Sequence, residues 1–193
     1  MNYLFTYKGI ARNLPVYEVG DGLKIAYLDS FCDFELVKAL SQEMANLISR
    51  SPRFQSAERV IIFTAVSKGV PFAYTVADVL SENCEGKRIE IAVARKEYKK
   101  FYGKVVSVGK TSITSSEGGD TLILAENDVN KLRGARVVLL DDMYSTGASI
   151  EALEELAVKC GATVIDRVVA VWETEDDSVA PPVKYVAKLP LIK

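Results

Sequence analysis

The apolar positions of this chain fall into short runs that are separated by stretches with helical spacing. Short, largely apolar runs are typical of strands buried on both faces of a sheet, and they lie at 60–63, 89–94, 137–140, 164–172 and 183–189. Apolar residues three or four positions apart predict helices at 33–49, 70–80 and 150–160. Strands and helices alternate from residue 33 onward, which predicts an α/β fold with a mostly parallel, doubly wound, Rossmann-like sheet.

Two other regions have a different pattern. Residues 14–19 and 23–28 predict the two strands of a hairpin, joined by the glycine-rich turn Gly20-Asp21-Gly22, within an N-terminal region of short strands at 1–31. The stretch 109–120 reads GKTSITSSEGGD and lies between candidate strands at 104–108 and 121–125. It has almost no apolar side chain that could hold it on a core, so we expect a flexible loop there.

The composition is that of a globular protein with a substantial core. Of the 193 residues, 49% are hydrophobic and 26% are charged, which predicts one folded domain over 1–193. The net charge of −2 supplies no basic field, so we expect no nucleic-acid partner. No apolar run has the length of a membrane span, and no signal-peptide pattern is visible, so we expect no membrane partner.

Cysteine and histidine usage narrows the chemistry. The three cysteines, Cys32, Cys84 and Cys160, are odd in number and far apart, so they predict neither a disulfide framework nor a metal site. A reducing, cytoplasmic setting is the expectation that follows. The chain contains no histidine, which excludes Ser-His-Asp and Cys-His catalysis and histidine-ligated metals.

The segment 137–149, VVLLDDMYSTGAS, carries the strongest chemical signal. Its apolar run leads into Asp141 and Asp142, and open α/β sheets bind ligands at the carboxyl ends of their strands. Carboxylates only accept hydrogen bonds, so this pair suits sugar hydroxyls or a hydrated cation. The residues that follow are predicted to open a helix, whose free N–H groups suit a phosphate; they are Ser145, Thr146, Gly147, Ala148 and Ser149. Together these features predict a sugar phosphate ligand.

This segment resembles the 5-phosphoribosyl-1-diphosphate (PRPP) motif of the type I phosphoribosyltransferases. The family pattern is an apolar strand, two acids, two variable residues, a small residue, Thr-Gly, a small residue and Ser, Thr or Ala. The chain has all of it, with Ala148 where many members have a second glycine. The resemblance implies that Asp141 and Asp142 are catalytic and hold the ribose hydroxyls, and that 145–149 hold the 5′-phosphate. An ordinary strand–turn–helix with surface acids is the alternative.

A second segment resembles the pyrophosphate loop of the same family. It follows the strand at 60–63 and precedes a helix, and the residues assigned to pyrophosphate are Val66, Ser67, Lys68 and Gly69. Adenine-type members have an acid, Ser, Arg and Gly here, so this chain lacks the acid and carries a lysine, which has no bidentate fork. The resemblance also makes Lys68 a catalytic cation beside the leaving group. An ordinary βα turn is the alternative.

The basic stretch after residue 94 resembles the R-K-x-x-K-x-x-G pattern of purine phosphoribosyltransferases. The resemblance implies that Arg95, Lys96 and Lys99 reach the pyrophosphate, in part across the interface of a homodimer. PRPP is strongly anionic and each charge-assisted contact is local, so several cations would be needed. A solvated basic loop is the alternative.

The remaining candidates come from similarity to the adenine and xanthine branch of the family. The loop at 109–120 stands where the family has a mobile loop that closes over substrate, which makes Glu117 a candidate catalytic residue. The N-terminal hairpin stands where the family has a hood over the base, which makes Ile25 and Tyr27 candidate base contacts; simple packing of the hairpin is the alternative. Glu173 stands near the branch's Val-x-Glu and is a third candidate, with an exposed strand-end glutamate as the alternative.

The order of these segments along the chain matches that of the family. The resemblance therefore implies an enzyme that converts a purine base and PRPP into a purine nucleoside 5′-monophosphate and pyrophosphate, with Mg²⁺ carried on PRPP and not bound directly by the protein. The alternative from another class is a PRPP-sensing regulator of purine metabolism that has the same fold and no catalysis. Repressors of that kind carry an N-terminal winged helix for DNA, whereas residues 1–31 here predict strands.

Overall fold

The computed structural model describes residues 1–20, 22–110 and 120–192. Its strands are β1 (Asn2–Tyr7), β2 (Ile10–Gly20), β3 (Leu23–Ala26), β4 (Arg59–Ala65), β5 (Arg88–Ala94), β6 (Val106–Lys110), β7 (Asp120–Leu124), β8 (Arg136–Tyr144), β9 (Thr163–Thr174) and β10 (Lys184–Pro190). Its helices are α1 (Phe34–Ser49), α2 (Pro52–Gln55), α3 (Gly69–Asn83), α4 (Glu126–Leu132) and α5 (Ala148–Lys159), with one 3₁₀ turn at Lys100–Tyr102.

The central sheet has five strands in the order β10-β9-β8-β4-β5. Every neighbouring pair in it is parallel, so all five carboxyl ends lie at one edge. Side chains alternate between the two faces along each strand: Val60 and Ile62 of β4 enter one buried cluster, and Ile61 and Phe63 enter the other. Helices α1 and α3 cover the first face, and α5 with the β6–β7 hairpin covers the second. The predicted doubly wound α/β fold is confirmed.

The N-terminal strands form a separate antiparallel sheet in the order β1-β2-β3. Phe5 and Leu14 bury this sheet against the same cluster as α1 and α3. The chain after β10 pairs with β3, because Lys24 and Ile192 exchange two backbone hydrogen bonds of 2.8 and 3.0 Å. This pairing holds the N-terminal sheet beside the carboxyl edge of the central sheet.

Several boundaries have clear local causes. Asp33 caps α1, since its Oδ1 accepts a 3.1 Å hydrogen bond from the N–H of Leu36. Gly161 ends α5 with a φ of +76°, the conformation expected of a glycine at this position. Helix α2 follows α1 after two residues, and Pro52 stands at its start, where the missing N–H costs nothing. Helix α4 was not predicted, because its seven residues show too little apolar periodicity.

Two expectations from the sequence concern the loop at 109–120 and the absence of a membrane span. Glu117 and most of the loop at 109–120 lie outside the described residues. Within the described part of the chain, no helix combines the length and hydropathy that a membrane crossing requires.

Candidate functional site

A cleft of about 310 Å³ opens at the carboxyl ends of β4, β8 and β9. Candidate residues from five segments of the chain meet there, although these segments are far apart in sequence. Those candidates that line it are Ile25, Val66, Ser67, Lys68, Lys96, Asp141, Asp142, Ser145, Thr146, Gly147, Ala148, Ser149 and Glu173. The sheet topology brings them together, because parallel strands end at one edge.

The acid pair lies within strand β8, near its carboxyl end, and does not follow the strand. β8 stays paired with β9 through Tyr144, so Asp141 and Asp142 sit on a fixed backbone. Asp141 is only 7% exposed, and its Oδ1 accepts a 3.0 Å hydrogen bond from the N–H of Asp142. This bond holds one carboxylate in place at the floor of the cleft, while both acids line it.

The candidate phosphate turn lies between β8 and α5. The helix begins at Ala148, within the stretch 145–149 that was predicted to open it, and Gly147 serves as its N-cap with a left-handed φ of +89°. The first helical hydrogen bond runs from the N–H of Glu151 to the carbonyl of Gly147 at 3.0 Å. No side chain caps this helix start, so the N–H groups of its first turn are available to an anion in the cleft.

The candidate pyrophosphate loop follows β4. The N–H of Val66 donates a 2.9 Å hydrogen bond to the carbonyl of Ala94, which ties the loop to β5. Gly69 does not line the cleft and has a packing role, because a Cβ there would come within 2.9 Å of Oδ1 of Asp141 and closer still to Oγ1 of Thr64. The glycine therefore allows α3 to start directly against the acid pair.

Only one of the three basic candidates lies at the cleft of its own chain, and it is Lys96. Arg95 is turned away: its backbone pairs with Ile123 of β7, and its Nη1 donates to Oδ2 of Asp128 at 2.7 Å. Lys99 forms an ion pair of 3.0 Å with Glu97 on the surface. The structure thus brings Lys68 and Lys96 to the cleft and keeps the other two cations outside it.

Of the three candidate base contacts, two line the cleft and one does not. Ile25 lines the cleft beside Val19 and Leu23, which gives the wall an apolar patch. Tyr27 does not line it; its ring lies under the ammonium of Lys68, with Nζ 3.9 Å from the ring centroid. The alternative of an exposed Glu173 is wrong, because this residue is only 5% exposed and belongs to the cleft wall.

Glu173 is an unusual carboxyl group. Burial raises its pKa, the negative charge of Asp142 raises it further, and the Ser145 hydroxyl and the Lys68 charge lower it in part. Its Oε1 is buried and finds no hydrogen-bond partner among the described residues. Such a group carries a proton more readily than an ordinary glutamate and can then donate a hydrogen bond.

The raised pKa of Glu173 has a measurable effect on stability. Between the ordinary pKa near 4.5 and the raised folded value, the unfolded chain has lost this proton and the folded chain retains it. The contribution of Glu173 to stability therefore falls as pH rises through this window. The glutamine in Glu173→Gln cannot ionise. We therefore expect the difference in free energy of unfolding, variant minus wild type, to become more positive from pH 4.5 to pH 8. Urea titrations at several pH values measure this, and a constant difference would contradict the expectation.

Some cleft residues gave no signal in the sequence. Leu191 lines the cleft only because the chain after β10 turns back to pair with β3. Tyr144 lies at a variable position of the acid motif, yet a Cβ added to Gly147 would be 2.8 Å from its hydroxyl. The hydroxyl of Ser30 donates a 3.0 Å hydrogen bond to the carbonyl of Lys68. Long-range contacts decide the placements of Leu191 and Ser30, and Tyr144 is placed by the turn that follows β8.

Comparison with known proteins agrees with this geometry. A family model described as phosphoribosyl transferase domain matches residues 34–192, which include every described segment of the cleft except the N-terminal hairpin. Among curated proteins, none matches the sequence.

Solved structures share the fold at low sequence identity. Adenine phosphoribosyltransferase from Thermoanaerobacter pseudethanolicus is 17% identical with a TM-score of 0.65, covering 91% of this chain and 95% of that chain. The Saccharomyces cerevisiae adenine phosphoribosyltransferase, solved with adenine and an imino-altritol bisphosphate, is 19% identical with a TM-score of 0.60, covering 91% and 84%. A Staphylococcus aureus hypoxanthine phosphoribosyltransferase is 14% identical with a TM-score of 0.54, covering 84% and 77%.

Proposed function

Because the chain belongs to the phosphoribosyl transferase domain family, we propose that it is a purine phosphoribosyltransferase. The proposed reaction converts a purine base and PRPP into a purine nucleoside 5′-monophosphate and pyrophosphate. The observation that carries the proposal is the meeting of the acid pair, the phosphate turn and the pyrophosphate loop at one cleft. A substrate with a 5′-phosphate, ribose hydroxyls and a diphosphate would need these three features side by side.

In the proposed mechanism the bond from the anomeric carbon to pyrophosphate breaks, and its electron pair leaves with the pyrophosphate. A ring nitrogen of the base forms the new bond to that carbon. Asp141 and Asp142 hold the ribose hydroxyls and place negative charge near the positive charge that develops on the ring. The turn at 145–149 anchors the 5′-phosphate, so that its binding energy orients the reacting carbon. Lys68 and Lys96 stabilise the departing diphosphate.

Mg²⁺ is the metal that this reaction would use, carried on PRPP. The donor set fits such an ion, because Mg²⁺ prefers carboxylate oxygens and Asp141 and Asp142 present them at the cleft. Among residues 1–20, 22–110 and 120–192, no three His, Cys, Asp or Glu side chains come together as a metal site. When bound, the ion would neutralise charge on the leaving pyrophosphate.

The base is proposed to lie between the hairpin and the end of β9. Val19, Leu23 and Ile25 offer an apolar surface to a flat ring. Glu173 is the polar group proposed nearest to the base. Glu117, outside the described residues, stays a candidate catalytic residue, and it or another group would accept the proton that the base loses.

A homodimer is the proposed assembly. The structure supports it with exposed aromatic side chains on the basic stretch, since Phe101 is 84% and Tyr98 54% exposed. Arg95 and Lys99 do not line the cleft of their own chain, so the shared-site arrangement would bring this stretch to the neighbouring subunit's cleft.

A PRPP-sensing regulator is the second candidate. It is favoured by the small number of cations, because the described residues that line the cleft include only two, Lys68 and Lys96. A weak pull on pyrophosphate would allow PRPP to bind without being consumed. In this candidate the same cleft serves as a sensor.

The deciding experiment incubates the protein with PRPP, Mg²⁺ and one base at a time from adenine, guanine, hypoxanthine, xanthine, uracil and orotate. We expect pyrophosphate and nucleotide to be released with at least one purine and with neither pyrimidine. PRPP binding in calorimetry without release from any base would identify the regulator, and no PRPP binding would contradict both candidates. Sedimentation at the assay concentration is expected to give a dimer.

A further inference from the structure

The short segment that follows β3 contacts Lys68 at two places. The Tyr27 ring lies under the lysine ammonium, with Nζ 3.9 Å from the ring centroid, a distance typical of a strong cation–π contact. The hydroxyl of Ser30, only 3% exposed, donates a 3.0 Å hydrogen bond to the carbonyl of the same lysine. Side chain and backbone of Lys68 are therefore held by one segment.

Tyr27 is itself fixed from the other side. Its N–H donates a 2.8 Å hydrogen bond to the carbonyl of Pro15 in β2. Its ring packs edge-on against Tyr17, with centroids 5.9 Å apart and planes at 83°. The ring position is thus set by the β2–β3 hairpin and requires no ligand, and Tyr27 is not among the residues that line the cleft.

Lys68, whose ammonium lies on this ring, is among the residues that line the cleft. A lysine ammonium has three N–H donors, and a ring face covers only one side of it. Asp142 and Glu173 line the same cleft as Lys68. Lysine otherwise loses much rotamer freedom on binding an anion, and a preset position removes that cost.

From this arrangement we infer that Tyr27 and Ser30 are positioning residues that hold Lys68 ready for the pyrophosphate group of PRPP. The N-terminal sheet would then set the affinity for the diphosphate through Lys68, and Tyr27 would not act by stacking on the base. This inference rests on the proposed function for its ligand. In this inference the hairpin sets the position of Lys68, which is a different role from that of a hood over the base.

The test is a double-mutant cycle on Lys68 and Tyr27, with Kd for PRPP and for Mg²⁺-pyrophosphate measured by calorimetry. Tyr27→Leu is expected to weaken both affinities about three- to tenfold, and Tyr27→Phe, which keeps the ring, to stay within about twofold of the wild type. In a Lys68→Ala background, Tyr27→Leu should cause no further loss. Tyr7→Leu is the matched control, because it removes a tyrosine of the same N-terminal sheet whose ring lies under a different lysine, Lys8, with Nζ 5.5 Å from the ring centroid.

Two outcomes would overturn the inference. Tighter binding by Tyr27→Leu would mean that the ring withholds the lysine from the ligand. An equal loss in the Lys68→Ala background would mean that Tyr27 acts on the fold or on the base. If Tyr27→Leu fails to fold, as judged by thermal melting, Tyr27→Met replaces it, since it keeps much of the volume without a ring face.

A second measurement does not depend on PRPP. Acylation of lysines by an N-hydroxysuccinimide ester, followed by mass spectrometry of the Lys68 peptide, reports how well the amine is covered. We expect faster labelling of Lys68 in Tyr27→Leu than in Tyr27→Phe and the wild type, with other lysines unchanged. Equal labelling would refute the contact itself. If the wild type binds no PRPP, the proposed function fails, and this measurement still decides whether Tyr27 holds Lys68.

Discussion

Replacing Asp141 and Asp142 together by asparagine is expected to abolish turnover and to weaken PRPP binding while the protein stays folded. Each carboxylate that accepts a hydrogen bond from a ribose hydroxyl contributes about 1.5–3 kcal/mol, so the two together predict a loss in kcat/KM of roughly 10²–10⁴-fold. Loss of negative charge beside the developing cation lowers kcat further. Asparagine keeps the shape and one oxygen acceptor, so the N–H of Asp142 can still be bonded by residue 141.

The chain offers a matched control for this variant. Asp176 and Asp177 are also adjacent acids, they follow β9, and both are exposed, so Asp176→Asn with Asp177→Asn removes the same charge away from the cleft. Initial rates, PRPP calorimetry and urea titrations should separate the two double variants. If the cleft variant unfolds, or if it binds PRPP as the wild type does, the acids have a structural role and the proposed site is wrong.

Gly147→Val is expected to remove phosphate binding at the start of α5. Gly147 has a φ of +89°, and an added Cβ would lie 2.8 Å from the hydroxyl oxygen and 3.1 Å from Cζ of Tyr144. Valine must therefore displace the Tyr144 ring or the turn, and the N–H groups of 145–149 would no longer converge on one anion. Loss of two or more charge-assisted bonds predicts a PRPP affinity at least about 100-fold weaker.

The other end of the same helix supplies the control. Gly161 has a φ of +76°, and a Cβ there would meet nothing within 4 Å. Gly161→Val should lose about 1–2 kcal/mol of stability from backbone strain and keep its affinity for PRPP. Binding of PRPP and of ribose 5-phosphate by calorimetry measures the difference. Equal affinities in the two variants would show that the turn does not hold the phosphate.

The fold class could be predicted from local pattern. Apolar runs and helical spacing depend on neighbouring residues, so β4, β8, β9, α1 and α5 were predicted close to their observed bounds. Parallel strands end at one edge, so the loops after β4 and β8 had to lie near each other once the sheet was known. The two segments of greatest chemical interest are local motifs, and the structure places both at the cleft.

The surroundings of some candidate side chains could not be predicted from the sequence. Arg95 and Lys96 are adjacent in sequence and have different surroundings. Arg95 pairs with Asp128, 33 positions away, whereas Lys96 lines the cleft. Glu173 could be read as an exposed strand end, because nothing near it in sequence shows that the chain after β10 and the hairpin close over that edge. Each outcome depends on which distant element covers a side chain.

The parallel α/β sheet, the acid pair, the turn at 145–149 and the family could be predicted from the sequence, because each is encoded by residues within a few positions of each other. The contacts of Tyr27 and Ser30 with Lys68, the latter across 38 positions, and the burial that raises the pKa of Glu173 could not be predicted. Hydrogen bonds, ring contacts and desolvation depend on distance in space, which packing sets. Local spacing fixes which groups a chain carries, and packing fixes which of them meet.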